Sequence, residues 1–324
     1  MRIGIIGVSG YGGGEALRLV AQHPDMELVH VAGESSAGSR LGDRFPALPD
    51  RYANLTIQPF EPEKTMGLDL VFASLPTGAS QEPLARVPAS VKIVDIGGDH
   101  RYVDGWTYGL ADAFPDEVRQ ASRVANPGCY PAATLSAVVP LLQAGLVTGG
   151  PVIVDAKSGV SGAGRGGGNT FGFAEVNESV AAYKLLNHSH MAEIEVTMAR
   201  FGTPGRAAGP LTFVPHLIPM TRGILATCYL SGEADAAACA EAARAFYAGR
   251  AFVRVTDSPP ASKLATGSNM AFVHYAADPK RKLIIAVGAI DNLGKGAAGQ
   301  AVQNANLMLG LDETAGLTGM PLWP

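Results

Sequence analysis

Short apolar runs ending in glycine-bearing polar turns recur along the chain, a pattern of buried parallel strands feeding helices rather than of half-exposed alternating strands. Residues 2–7, rich in isoleucine, predict the first strand, and Gly7-Val8-Ser9-Gly10-Tyr11-Gly12-Gly13-Gly14 follows. Residues 15–22 have helical composition and are stopped by His23-Pro24. Strand, glycine turn and helix is the context of a dinucleotide site, where glycines admit the pyrophosphate to a helix N-terminus. The spacing Gly7-x-x-Gly10-x-x-Gly13 assigns Gly7, Ser9, Gly10, Tyr11, Gly12 and Gly13 to a cofactor. A turn serving packing alone is the competing explanation.

Residues 27–33 predict the second strand, ending beside Glu34. An acid there suits the ribose of NAD, but Ser35, Ser36, Ser39 and Arg40 suit a 2′-phosphate, so the expectation is NADP(H). Residues 68–73 and 91–96 continue the sheet. Their following loops, Ser74-Leu75-Pro76-Thr77-Gly78 and Gly97-Gly98-Asp99-His100-Arg101, should face the cofactor cleft beyond the strands' C-terminal ends. Ser74, Leu75 and Pro76 are accordingly cofactor candidates, and Arg101 is a phosphate or carboxylate anchor unless it is a solvated loop charge. The helix expected over 78–87 is broken by Pro83.

Asn126-Pro127-Gly128-Cys129-Tyr130-Pro131 then opens a long apolar run. Pro-Gly forces a tight turn, and Pro131 suits a helix start because it needs no N–H there. Cys129 therefore lies at a helix N-terminus, where free N–H groups and the dipole favour thiolate. We read it as a nucleophile in preference to a buried structural cysteine.

Residues 151–156 predict a strand entering the glycine-rich stretch 157–168, where Lys157 and Arg165 suggest anion recognition and a plain linker is the alternative. In Asn187-His188-Ser189-His190, followed by a helix, His190 is the expected acid/base partner of Cys129, with Glu193 available to orient it. A core or capping histidine is one rival, and a metal site on His188, His190 and Glu193 is another, without a second ligand cluster to support it. Residues 211–230 read as two strands around a polar turn carrying Arg222, with His216 structural and Cys228 in the core. Cys239 lies in an alanine-rich helix over 234–248, residues 281–290 form another strand, and 291–310 a glycine turn and terminal helix capped by Gly310.

At 324 residues two domains are expected, and 47% apolar with 17% charged residues describes a soluble globular protein. A net charge of −4 without a basic run argues against nucleic acid. No apolar stretch approaches a membrane span, and the N-terminal one is too short for a signal peptide. Three cysteines without CxxC spacing suit a reducing, cytoplasmic location.

Together these residues resemble the aspartate-semialdehyde dehydrogenase-like family, and within it the arginine-pathway branch. The likeness runs along nearly the whole chain: Gly7 to Gly13, Asn126 to Pro131, Ser161-Gly162-Ala163-Gly164-Arg165, the His188/His190 pair, Pro215-His216-Leu217-x-Pro219-Met220-x-Arg222-Gly223, and Asp291-Asn292-Leu293-x-Lys295-Gly296-Ala297-Ala298-Gly299-Gln300. Ser189, Ala192 and Thr77 depart from the Arg, Pro and His common there. The resemblance implies an α/β fold, with a Rossmann-like dinucleotide-binding domain over 1–128 completed by 292–324. An α+β catalytic domain with a mixed sheet over 129–291 carries subunit contacts, so a dimer or tetramer is expected. It implies that Cys129 attacks an N-acetylglutamyl phosphate, expels inorganic phosphate and forms a thioester that NADPH reduces, with His190 handling protons. Arg101, Arg165, Arg222, His188 and Glu193 become substrate-binding candidates, while Ser161, Gly162 and Asn292 join the cofactor set. No metal is implied. Rivals are the same chemistry on an aminoadipyl phosphate, one methylene longer, on aspartyl phosphate, or a non-catalytic dinucleotide sensor.

Overall fold

The isoleucine-rich run forms β1 (Arg2–Ile6), with Ile3, Ile5 and Ile6 fully buried. A computed structural model describes residues 1–165, 171–201 and 208–322 of the chain. It divides into two units, Met1–Gly128 with Ala297–Gly319 and Cys129–Gly296 with the chain end from Met320.

In the first unit β1 is followed by α1 (Tyr11–Val20), β2 (Glu27–Ala32), α2 (Leu41–Arg44), α3 (Asp50–Ala53), β3 (Leu70–Ala73), α4 (Gln81–Ala85), β4 (Lys92–Asp95), β5 (Thr107–Tyr108), α5 (Pro115–Gln120) and β6 (Arg123–Ala125). The six strands are parallel in the order β2-β1-β3-β4-β6-β5. The winding reverses between β1 and β3, and ligands of open α/β sheets bind at that switch point, beyond the strands' C-terminal ends. Helix α1 starts four residues before the helical composition at Glu15, taking Gly12, Gly13 and Gly14 into its first turn. A side chain could not follow that path, because a Cβ added at Gly13 would collide with the Gly7 carbonyl. Pro83 does not break α4 as expected. It sits in the first turn, where its missing N–H has no helical partner to lose.

The second unit opens with α6 (Cys129–Gln143) and continues through β7 (Val152–Gly159), α7 (Phe173–Val176), β8 (Ala181–Ala182), α8 (His190–Phe201), β9 (Leu211–Ile218), β10 (Ile224–Ser231), α9 (Ala236–Phe246), β11 (Val253–Val255), β12 (Ala271–Asp278) and β13 (Leu283–Ile290). The chain then returns to the first unit as α10 (Gly299–Leu309), capped by Gly310 at φ +70°.

The second sheet is mixed, in the order β11-β12-β13-β10-β7-β9-β8. The two strands expected around the 219–223 turn are β9 and β10, but they do not pair. β7 lies between them, parallel to β9 and antiparallel to β10. Apolar nearly all round, α6 is buried from Tyr130 to Leu142, as a helix of that composition must be. Pro140 removes one helical N–H, and the Ser136 carbonyl it would have served accepts the Tyr247 hydroxyl instead, at 2.9 Å. Gly288 lets β13 approach α6, since a Cβ there would collide with the Ala133 carbonyl.

Candidate active site

The turn before Cys129 is held by Asn126, which is fully buried. Its N–H donates to the Asp95 carbonyl (2.8 Å) and its own carbonyl accepts from Arg101 Nε (3.0 Å). Its side chain donates to the Ala297 carbonyl (3.1 Å) and accepts from Asn304 Nδ2 (3.0 Å). Through Pro127-Gly128 this anchored residue delivers Cys129 as the first residue of α6, half-buried. A Cβ added at Gly296 would stand 2.8 Å from the Cys129 Cβ, so the 294–298 turn closes on the backbone that carries the thiol. Cys228 and Cys239 are buried instead, and burial pushes their thiols up to about 12 and about 11, Asp235 adding to the second.

Aromatic and imidazole rings gather behind Cys129. The Tyr130 hydroxyl donates to the His216 carbonyl (3.0 Å) and accepts from the Tyr183 hydroxyl (3.2 Å). Burial pushes Tyr183 up to about 12, the bond to Tyr130 opposing and the charge of Cys129 adding. Tyr130 is raised as well, by burial first and by Tyr183 next. Both phenols are therefore protonated donors at neutral pH. The His188 ring stands edge-on to Tyr130 and Tyr183 at 5.8 and 5.6 Å and lies 4.6 Å from His190, which stands 6.0 Å from Tyr130.

Helix α8 begins at His190, whose backbone N–H donates to His188 Nδ1 (3.1 Å). An accepting Nδ1 belongs to a neutral imidazole. Burial first, and the Lys184 cation second, bring His188 down to about 4. An unfolded histidine takes up its proton near pH 6.5. Stability is thus fully present above about pH 6.5 and is lost as the pH falls towards 4, where only the unfolded chain binds the extra proton. Urea unfolding at about pH 7 and about pH 5 should show this loss, and His188→Gln should reduce the slope. An unchanged slope would show that His188 is solvated.

Asp291, fully buried, accepts from the backbone N–H groups of Gly267 (2.6 Å), Leu293 (2.8 Å) and Gly294 (2.8 Å), with Arg222 Nη1 3.4 Å from its Oδ2. Asn292 donates to Ser161 Oγ (2.8 Å) and accepts from the Gly223 N–H (2.7 Å). Ser161, Gly162, Arg222 and Asn292, far apart in sequence, are thereby brought together. Glu193 is buried in the first turn of α8 and Arg165 is exposed. Gly166, Gly167 and Gly168 lie outside the described residues. Among the described residues no three His, Cys, Asp or Glu side chains are placed to hold a metal ion, and no helix is long and apolar enough to cross a membrane.

In the first unit the glycine turn and the loop after β3 meet at the switch point. A Cβ at Gly7 would collide with the Ser74 carbonyl, and one at Gly12 would stand 2.7 Å from Ser74 Oγ. This cradle of bare backbone beside the start of α1 fits a pyrophosphate. The Ser9 and Ser36 hydroxyls are in contact, Ser35 and Tyr11 are exposed, and Arg40 donates to Asn54 Oδ1 (2.6 Å). Glu34 accepts from the Phe60 N–H (3.2 Å). Leu75 is half-buried and Pro76 exposed on the loop after Ser74.

Sequence reasoning passed over Tyr130, Tyr183 and Asp291. Two of these lie inside motifs already singled out, beside Cys129 and Asn292; Tyr183 carries no local signal. Lys157, expected to meet an anion, pairs with Asp155 (2.5 Å), which also faces His216 (3.2 Å).

A doubly wound parallel sheet with a glycine cradle at its switch point, followed along the chain by a mixed sheet and a helix headed by a cysteine, defines a dinucleotide-binding α/β protein. Residues 2–121 match the semialdehyde dehydrogenase NAD-binding domain and residues 129–292 the semialdehyde dehydrogenase dimerisation domain. The chain belongs to the semialdehyde dehydrogenase family and is an oxidoreductase using a nicotinamide dinucleotide. It is 64% identical over 325 residues to an N-acetyl-gamma-glutamyl-phosphate reductase of Methylobacterium sp. (strain 4-46), covering 100% of this chain and 99% of that one. A protein of the same name from Symbiobacterium thermophilum is 42% identical, again over 100% and 99%. The fold is shared with aspartate semialdehyde dehydrogenase with NADP from Candida albicans, at TM-score 0.73 and 16% identity over 95% of this chain and 98% of that one.

Proposed function

We propose that this protein reduces N-acetyl-γ-glutamyl phosphate to N-acetylglutamate 5-semialdehyde and phosphate in arginine biosynthesis, with NADPH as reductant. The observation that carries the chemistry is the half-buried thiol heading α6, with two imidazoles and the Tyr183 phenol gathered around Tyr130. The full-length relatives of the same name carry the substrate.

In this reading Cys129 Sγ attacks the acyl carbon. The C–S bond forms, the C–O bond to phosphate breaks, and a thioester remains on the protein. When bound, the dinucleotide supplies a hydride at the thioester carbon. The C–S bond then breaks, returning the electron pair to Cys129 and releasing the aldehyde. His190 shuttles the proton of the thiol, and neutral His188 holds the His190 backbone through Nδ1. N–H groups at the start of α6 stabilise the oxyanion, and Arg101, Arg165 and Arg222 are the anchors for phosphate and carboxylate. Gly7 to Gly13, with Ser74 to Pro76, hold the cofactor. NADP is favoured because the Glu34 carboxylate accepts from the Phe60 N–H while Ser35 is exposed, and the Arg40 guanidinium, which donates to Asn54 Oδ1, supplies positive charge for a 2′-phosphate.

The reading extends to assembly. One face of the second sheet is buried, while Ile153, Leu225, Tyr229, Phe272, Ile285 and Val287 on the other keep exposure, a surface suited to a second copy of the chain.

The test runs the reaction backwards, with N-acetylglutamate semialdehyde, NADP⁺ and phosphate, following nicotinamide absorbance. Phosphate-dependent reduction, faster with NADP⁺ than with NAD⁺, is expected. Silence from an enzyme shown to bind the cofactor would remove this substrate.

A further inference from the structure

Asp99 belongs to neither set of expected site residues, yet its carboxylate is the most heavily used acceptor in the loop that carries Arg101. It accepts from the Gly78 N–H (2.7 and 2.9 Å), the Ser80 N–H (3.0 Å) and the Ser80 hydroxyl (2.8 Å). The Gln81 amide donates to the Asp99 carbonyl (3.3 Å). Every one of these donors lies in the loop after β3 or at the start of α4, about twenty residues back along the chain. Behind them, buried Asp95 accepts from His100 Nδ1 (2.6 Å) and from the Gly97 N–H (2.9 Å), and its Oδ2 stands 3.3 Å from the Ser80 hydroxyl, whose one proton goes to Asp99. His100 is stacked on Trp106 at 3.9 Å. The carboxylates of Asp95 and Asp99 thus clasp Ser80 from two sides.

A Cβ added at Gly98 would stand 3.7 Å from Thr77 Oγ1 and 3.8 Å from Arg101 Nη1, so a hydroxyl from one loop and a guanidinium from the other border the same bare glycine. The other end of the first loop is fixed, because Ser74 packs on Gly7 and Gly12. Its far end is bonded to Asp99 at Gly78 and Ser80. We infer that Asp99 is a positioning residue that locks the 74–80 loop onto the 97–101 loop, setting Thr77 beside Arg101 as one anion-binding pair for the phosphate of the substrate. The inference rests on the proposed acyl-phosphate reaction. A carboxylate suits this task because it accepts several N–H groups at once without needing a donor, which an asparagine cannot reproduce.

The variants are Asp99→Asn, Ser80→Ala, Arg101→Gln and the Asp99→Asn/Arg101→Gln double. In the cofactor-free protein, amide exchange at Gly78 and Ser80 should rise at least about tenfold in Asp99→Asn, with β1 unchanged. In turnover the KM for phosphate in the reverse direction should rise about tenfold or more, and the double variant should lose little beyond Arg101→Gln alone, since both changes disable one unit. Ser80→Ala, which keeps the backbone donors, should show the same effects at reduced size, and it decides the matter if Asp99→Asn does not fold. Unchanged exchange at Gly78 and Ser80 would overturn the inference, as would losses that simply multiply in the double variant. A wild type silent with phosphate would remove the reaction, and the exchange measurement would still decide whether Asp99 holds the loop.

Discussion

Cys129→Ser is expected to lower turnover by about three orders of magnitude or more while leaving dinucleotide binding unchanged. Serine keeps the size and the place at the head of α6 but replaces a thiol with an alcohol, a far weaker acid and nucleophile. The binding half of the prediction follows from the division of the chain: the glycine cradle belongs to Met1–Gly128, and Cys129 begins the other unit. A direct chemical check accompanies it. Iodoacetamide at neutral pH should add one equivalent to the folded wild type, at Cys129, because Cys228 and Cys239 are buried and their thiols are pushed up to about 12 and about 11. Acyl phosphate should protect against it. Turnover retained in the serine variant would remove the covalent route and leave direct hydride delivery to the acyl phosphate.

Asp291→Ala should destabilise the second unit by about 3–5 kcal/mol, the range for removing one partner of a buried charged network. The carboxylate is fully buried and is shared by three backbone N–H groups, two from its own turn and one from Gly267, with Arg222 beside it. Alanine leaves those donors without an acceptor where water is excluded, and each bears a desolvation cost. The thiol of Cys228, at the centre of β10 and without solvent exposure, is a local reporter, since its reaction with a disulfide reagent requires this unit to open. Urea titration followed by that reaction should show the loss. A change below about 1 kcal/mol, within the range of a single hydrogen bond, would mean that the turn holds itself without the carboxylate. Because Arg222 loses its neighbour too, residual enzyme should show a raised KM for the acyl phosphate.

The parts of this protein legible in its residues are those whose physical demand is local. A glycine turn after an isoleucine run, a Pro-Gly turn before a cysteine and an apolar helix, and a glycine at a helix end each answer a backbone requirement met within a few positions. Gly7 at φ +77°, Cys129 at the first position of α6 and Gly310 at φ +70° are placed as those signals require. His188 and His190, two residues apart at the start of a helix, were visible in the sequence as a pair. Their protonation was not: His188 is neutral because of burial and of Lys184, and burial is a property of the whole fold.

Asp291, Asp99 and Tyr183 act on partners that no short window contains, so nothing beside them in the chain announces their work. The same holds for topology. Periodicity found β9 and β10, but only packing decided that β7 lies between them, because the strand best able to satisfy both edges comes from sixty or so residues away. By itself, then, the sequence determined the elements, the cradle and the thiol, through short-range backbone and side-chain requirements. The tertiary structure alone decided which strands pair, which carboxylates become hubs and which imidazole is kept uncharged, since each depends on what long-range folding buries together.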